Sequence, residues 1–315
     1  MSAGIWPSSV SGRRSDPTAR RWSRQARTPK GEVARPQESE QVTVIVESMT
    51  VVAIICVWLL AQVLVLGGLA QNRAQANLYG EFREQLAAAT APTGGIIAPG
   101  SPVALITIPE IGLQQVVVEG TGSGTLLAGP GHRRDTVLPG QEGRSMIFGR
   151  ARSYGGPFAD VTKLTKGQTI STVTAQGRAT YTVESVRRAG DLQNPALAAG
   201  GGRLTLVTAE GSGLLAALTP SSVVYVDAKL SSTAFKPPSG RLNAISPIEL
   251  PMARDTSAIA ALALALGALA VVTVCVVLAK KRFGTILVWV ISVPVVLALA
   301  WSSTDLMMYL LPNLL

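Results

Sequence analysis

The sequence predicts a mostly β domain held at a membrane by three helical spans. Three observations carry that expectation. Short β-branched runs punctuated by Gly and Pro recur between residues 102 and 230, the pattern of an all-β barrel or sandwich. Three long apolar runs, 42–70, 257–279 and 283–301, have the length and composition of membrane helices. The excess of positive charge is densest beside those runs.

The net charge of +9 would suit nucleic acid as well as a membrane surface, and its distribution separates the two. Residues 1–41 carry eight Arg or Lys against four acids, and Lys280, Lys281 and Arg282 stand between two apolar runs. The much longer stretch 71–256 carries seventeen bases against thirteen acids. This is a positive-inside pattern, and no nucleic-acid-binding motif accompanies it, so nucleic acid is not an expected partner. The two cysteines, Cys56 and Cys275, both lie inside apolar runs, where they read as small packing residues. The extracytoplasmic region is therefore cysteine-free, and its stability must come from its core.

In chain order, residues 1–41 are rich in Arg, Ser and Pro and read as a disordered, basic cytoplasmic tail. Residues 42–70 form the first span, an uncleaved anchor, although Gly68-Leu69-Ala70 faintly resembles a signal-peptidase site. In 71–90, Leu78, Phe82 and Leu86 give one apolar stripe, so 71–101 reads as a stalk helix and a Pro/Gly linker. Strands are expected at 103–108, 114–120, 168–175, 179–186, 203–208 and 222–230, with Gln176-Gly177-Arg178 as a hairpin turn. Residues 231–256 form a proline-bearing linker. The spans 257–279 and 283–301 follow as a tight helical hairpin around Lys280-Lys281-Arg282, Pro294 lies within the second of them, and 302–315 is a short extracytoplasmic tail. Both charge clusters give one topology: a multi-pass protein of the plasma membrane with a cytoplasmic N-terminus and an extracytoplasmic domain.

The stretch Gly129–Phe158, GPGHRRDTVLPGQEGRSMIFGRARSYGGPF, holds the sole histidine, His132, and a dense set of Gly, Pro and Arg. Such punctuation marks backbone held in special turns. No cluster of His, Cys, Asp or Glu has metal-ligand spacing, so neither a metal nor any other cofactor is expected.

The domain resembles the sortases, cysteine transpeptidases that join surface proteins to cell wall or to each other, here of bacterial, actinobacterial type. The resemblance covers about 102–230. It rests on Leu105–Gly112 (LITIPEIG), Gly129–His132 (GPGH), Leu138-Pro139-Gly140, Gly155–Phe158 (GGPF) and Leu204–Thr208 (LTLVT), in the family's order. It implies a sortase-like β-barrel, and it also implies that the chemistry is gone. Where the family shows Gly-His-Arg this chain shows Gly149-Arg150-Ala151. Where a cysteine follows LTLVT it has Ala209. Where an arginine opens the last strand it has Ser221, Ser222 and Val223. The histidine of GPGH resembles a structural residue of the family, so His132 is expected to be structural.

Alanine offers no lone pair for attack, and arginine stays protonated at any accessible pH. Thr208 has a hydroxyl but should face away from Ala209 in a strand. Arg133, Arg134, Arg144, Arg150 and Arg152 fall within twenty residues. Arg150 and Arg152, with Tyr154, Thr208 and His132, are the candidate groove residues, and the two arginines suit a carboxylate or an anionic wall polymer. The alternative for that cluster is a solvated loop face with local ion pairs. The leading reading is a catalytically degenerate sortase-like protein acting by binding, with a surface protein, an active sortase or another membrane subunit as partner. The alternatives are a transpeptidase or hydrolase with rewired Ser or Thr chemistry, and a structural subunit of a membrane complex.

Overall fold

The computed structural model describes residues 61–211, 222–283 and 285–315, together with positions 49, 53, 57, 58 and 60. Eight strands run through the domain: β1 (Pro102–Ile108), β2 (Leu113–Glu119), β3 (Gly131–His132), β4 (Gly143–Phe148), β5 (Thr169–Thr174), β6 (Gly177–Arg188), β7 (Gly202–Glu210) and β8 (Ser222–Leu230). They close into a barrel in the order β1-β2-β3-β4-β7-β8-β6-β5, with β1 returning to β5. The β2/β3 and β4/β7 pairs are parallel and the others antiparallel. Closure removes the open edges that a sheet of this size would otherwise present.

Six strands lie where the β-branched runs predict them. The other two, β3 and β4, fall inside the stretch read as turns, and this is a correction. GRSMIF lacks an alternating pattern because both faces of β4 are covered. Ile147 joins the barrel interior with Leu204 and Leu206 of β7, whereas Met146 and Phe148 face a second cluster outside the barrel with Val207 and Ala209.

Helix α1 (Gly67–Ala87) continues without a break from a π-helical turn, Gln62–Leu66. Its predicted stripe is the one that packs: Phe82 is buried with Val116 and Ala91, and Leu78 and Leu86 lie against them. Gln75 fastens the helix to β2, accepting from the Val116 N–H at 2.7 Å and donating to the Val116 and Ala128 carbonyls. These backbone groups lie beyond the short β3 pairing, so the Gln75 amide satisfies them in place of a strand.

Two helices, α2 (Ile259–Arg282) and α3 (Thr285–Tyr309), pack together as a hairpin. Lys280–Arg282 form the last turn of α2 rather than a connection outside it. Pro294 lies inside α3, and the expected tail is helical as far as Tyr309. Among the described residues two helices, not three, are long and apolar enough to cross a membrane, Thr256–Val276 and Ile286–Tyr309. The expected basic tail (1–41) and most of the expected first span (42–70) lie outside the described residues.

Candidate functional site

The site is assembled where β4 and β7 end side by side. Gly149 prolongs the ladder: its N–H donates to the Val207 carbonyl at 3.0 Å, and its own carbonyl accepts from Thr208 Oγ1 at 3.1 Å. A side chain at Gly149 would collide with the Phe158 ring, about 2.3 Å from an ideal Cβ, so glycine is required there. The loop that follows turns back on itself, with the Phe158 N–H donating to the Arg150 carbonyl. Tyr154, Gly155 and Gly156 are all left-handed, with φ of 49°, 74° and 49°. For a tyrosine that backbone is strained, and its surroundings must hold it.

Arg150 is fully buried, with 0% of its surface exposed. Its Nη1 donates to Ser153 Oγ, and its Nη2 to the carbonyl and hydroxyl oxygens of Ser123, each at 2.9 Å. Its guanidinium carbon lies 5.8 Å from the Tyr154 ring centroid, a cation–π distance. Burial pulls its pKa down to about 10, partly opposed by Tyr154. Arg150 therefore stays charged at neutral pH and faces inward. The expectation that it meets a ligand in an open groove is corrected by this placement, since an arginine has enough reach to turn away from the cleft and place both Nη groups on two serines, while its buried Nε is left without a hydrogen-bond partner. Arg152 is exposed and lines a cleft of about 100 Å³ with Ala151, Ala159, Ala209, Glu210 and Leu315. The other expected cations divide likewise: Arg133 pairs with Asp135, Arg134 with Glu249, and Arg144 is exposed.

Tyr154 lies beneath Arg150 and donates its hydroxyl to Asp305 Oδ1 of α3. Burial first, then the Asp305 charge, pushes its phenol well above the usual range. Gln62 donates to the same carboxylate oxygen. The Tyr154 ring also seats on Gly67, where a Cβ would approach it to 3.0 Å, so the glycines at the start of α1 give the loop close access to the helix.

Ala209 is 5% exposed and faces the outer cluster, whereas Thr208 beside it is fully buried and spends its hydroxyl on Gly149. Ala209 is opposite Val223, and Glu210 is opposite Ser222. Ser221 lies outside the described residues. Near Ser222 the structure places a cation that sequence reading missed: Arg188 of β6 reaches both oxygens of Glu210, at 2.7 and 3.2 Å. That pair raises the arginine's pKa and lowers the carboxylate's, mainly by hydrogen bonding.

His132 is fully buried on β3, with Nδ1 at 2.8 Å from Glu119 Oε2 and Nε2 at 2.9 Å from the Val137 carbonyl. Both ring nitrogens have a partner within hydrogen-bond distance, and the residue pairs with Glu119 in the parallel β2/β3 register. The site also contains residues that no motif announced. They are Ser123, Ser153 and the segment Leu311–Leu315, whose Leu314 is fully buried against Ala209, Ala151 and Leu126. The apolar run LLPNLL after α3 was the one available signal that this segment would be covered.

A family model described as the sortase domain matches residues 106–213. The chain is similar to a Clostridium perfringens sortase D5 transpeptidase at 23% identity, covering 51% of this chain and 99% of that one, with a TM-score of 0.41. It is similar to sortase E from Streptomyces avermitilis at 30% identity, covering 44% of this chain and 92% of that one, with a TM-score of 0.36. Similarity to sortase C from Clostridium perfringens SM101 is at 19% identity, covering 51% of this chain and 89% of that one, with a TM-score of 0.37. No curated protein matches the chain.

Proposed function

The chain belongs to the sortase family, and from that premise we propose that it is a membrane-held member that acts by binding rather than by transpeptidation. One observation carries the reading. LTLVT is followed by the methyl group of Ala209, covered by Leu314, where the family's attacking thiol would stand. A covalent acyl intermediate needs a nucleophile, and Ala209 has none. Protonating a leaving amine needs a group that exchanges its proton near neutral pH, and Arg150, even lowered to about 10, keeps its own. Thr208 donates to a backbone carbonyl, and among the described residues no base is bonded to its hydroxyl. In a serine protease, losing nucleophile and base costs about a million-fold in kcat.

On this reading the domain lies outside the plasma membrane, and the basic tail and the Lys280–Arg282 turn lie in the cytoplasm. The partner is a surface protein, an active sortase or another membrane protein. The anion-binding role expected of the arginines passes to Arg152, the exposed one at the cleft. The full-length protein in detergent, mixed with a sorting-signal peptide and an amine acceptor, is expected to give neither cleaved nor ligated product by mass spectrometry. Ala209→Cys alone is expected to remain inactive, because no base accompanies it. Turnover by the unmodified chain, persisting after thiol blocking, would sink the reading in favour of rewired hydroxyl chemistry.

A structural-subunit reading has one supporting observation. An apolar cleft of about 430 Å³ opens between α2 and α3, lined by Val272, Cys275, Ala279, Leu287 and Ile291 among others. Such a cleft suits a further membrane helix. If it is the interface, removing 251–315 abolishes complex formation, whereas the leading reading leaves binding with the domain.

A further inference from the structure

We propose that Leu311–Leu315 is the resident occupant of the groove at Ala209, an intramolecular plug that the residues replacing the catalytic set have been recruited to hold.

The segment is seated as a bound peptide is seated, by its main chain and by two side chains. Three of its main-chain oxygens are held by the groove. Ser123 Oγ lies 3.1 Å from the Leu311 oxygen, the Ala151 N–H donates to Leu314 at 3.0 Å, and Ser153 Oγ donates to Leu315 at 2.5 Å. The Asn313 N–H donates to Ala253, and its side-chain amide donates to the Thr121 and Leu250 carbonyls at 2.8 and 2.9 Å. Leu314 fills a pocket made by Leu126, Met146, Phe148, Ala151, Val207 and Ala209. Residues 312–315 are all buried. Main-chain hydrogen bonds supply affinity in this mode of recognition, and the side-chain pockets supply selectivity.

Arg150 makes this socket. It grips Ser123 and Ser153, the two serines whose hydroxyls reach the Leu311 and Leu315 oxygens. A catalytic imidazole would have to face the cleft, whereas this guanidinium faces the serines. The plug also follows directly on α3, whose Asp305 is bonded to Tyr154 of the same loop. Tethering makes the docking intramolecular, so the groove is filled at any protein concentration. Opening it requires the end of α3 to move away from the 150–156 loop. This inference does not depend on the absence of catalysis, because an occluded groove is a statement about access.

The test reads access to position 209 directly. In full-length protein whose Cys56 and Cys275 are replaced by serine, Ala209→Cys supplies a single thiol, and its labelling rate with a maleimide in detergent is measured. Labelling is expected to be slow with residues 311–315 present and at least about tenfold faster when they are removed, since local opening then no longer limits access. Leu314→Asp, which keeps the chain length, is expected to accelerate labelling similarly. Adding the synthetic peptide LLPNLL to the shortened chain is expected to restore protection, and the same peptide with Asp for the leucine that follows Asn is not. Circular dichroism of each variant reports whether the barrel persists. If the shortened chain unfolds, Asn313→Ala in the intact chain takes its place. Equal labelling rates with and without the segment in folded protein, or failure of the peptide to protect, would overturn the plug while leaving the non-catalytic reading standing. Peptide turnover by the unmodified chain would do the reverse.

Discussion

The hydroxyl of Tyr154 donates to Asp305 Oδ1 at 3.1 Å, tying the loop beyond β4 to the far end of α3. The bond joins a residue held at φ 49° to a carboxylate that also accepts from Gln62 at 2.9 Å. Strain in the loop is thus balanced by contacts to helices distant in sequence. Tyr154→Phe removes the bond and keeps the ring against Gly67 and Arg150. It is expected to lower stability by about 1 kcal/mol. Asp305→Ala removes the acceptor of both Tyr154 and Gln62 and is expected to cost at least as much. Thermal unfolding in one detergent measures both, and no change in either would show that the helix end is not fastened through this carboxylate.

Arg150→Ala removes three hydrogen bonds and leaves a cavity, so a loss of about 3 kcal/mol is expected. The pH dependence follows from the direction of the shift. The folded pKa, about 10, lies below the ordinary arginine value of 12.5, so the unfolded chain binds more protons only between those two values. Below about pH 10 both states are charged, and the difference between Arg150→Ala and the parent is expected to be flat from pH 6 to 9. Above that window, discharge in the folded state relieves the burial penalty and stability from this group rises. A slope between pH 6 and 9 would contradict the buried placement.

His132→Ala leaves Glu119, only 2% exposed, without its partner at 2.8 Å. Breaking a buried pair in this way is expected to cost about 3 kcal/mol or more. Adding Glu119→Gln is expected to recover part of the loss, because the orphaned carboxylate is then neutral. A double-mutant cycle read by unfolding gives the coupling directly, and additive losses would remove the structural role assigned to His132.

Much of this could be read from the residues. β-branched runs located six strands because those strands alternate or are flanked by turn residues, and the stripe of Leu78, Phe82 and Leu86 named the face of α1 that packs. The motifs placed Gly149, Arg150 and Ala209 in one neighbourhood, and parallel pairing of β4 with β7 brings them there. The direction of the Arg150 side chain could not be read. It depends on Ser123, twenty-seven residues earlier, and on Ser153, and no periodicity links them. The cover over Ala209 was equally hidden, since Leu314 arrives from a segment that local reasoning treats as a tail. Strand β4 was missed because burial on both faces erases the alternation on which strand recognition relies.

Gln75 has a further effect through its hold on β2. Its amide occupies the Val116 N–H and C=O, backbone groups that a foreign strand would need in order to zip onto the barrel at that point. With β1 and β5 sealing the cylinder elsewhere, recruitment by added strand is shut off on this side. Whatever associates there must be selected by side-chain shape and charge, as between two folded surfaces, rather than by the shared grammar of the peptide backbone.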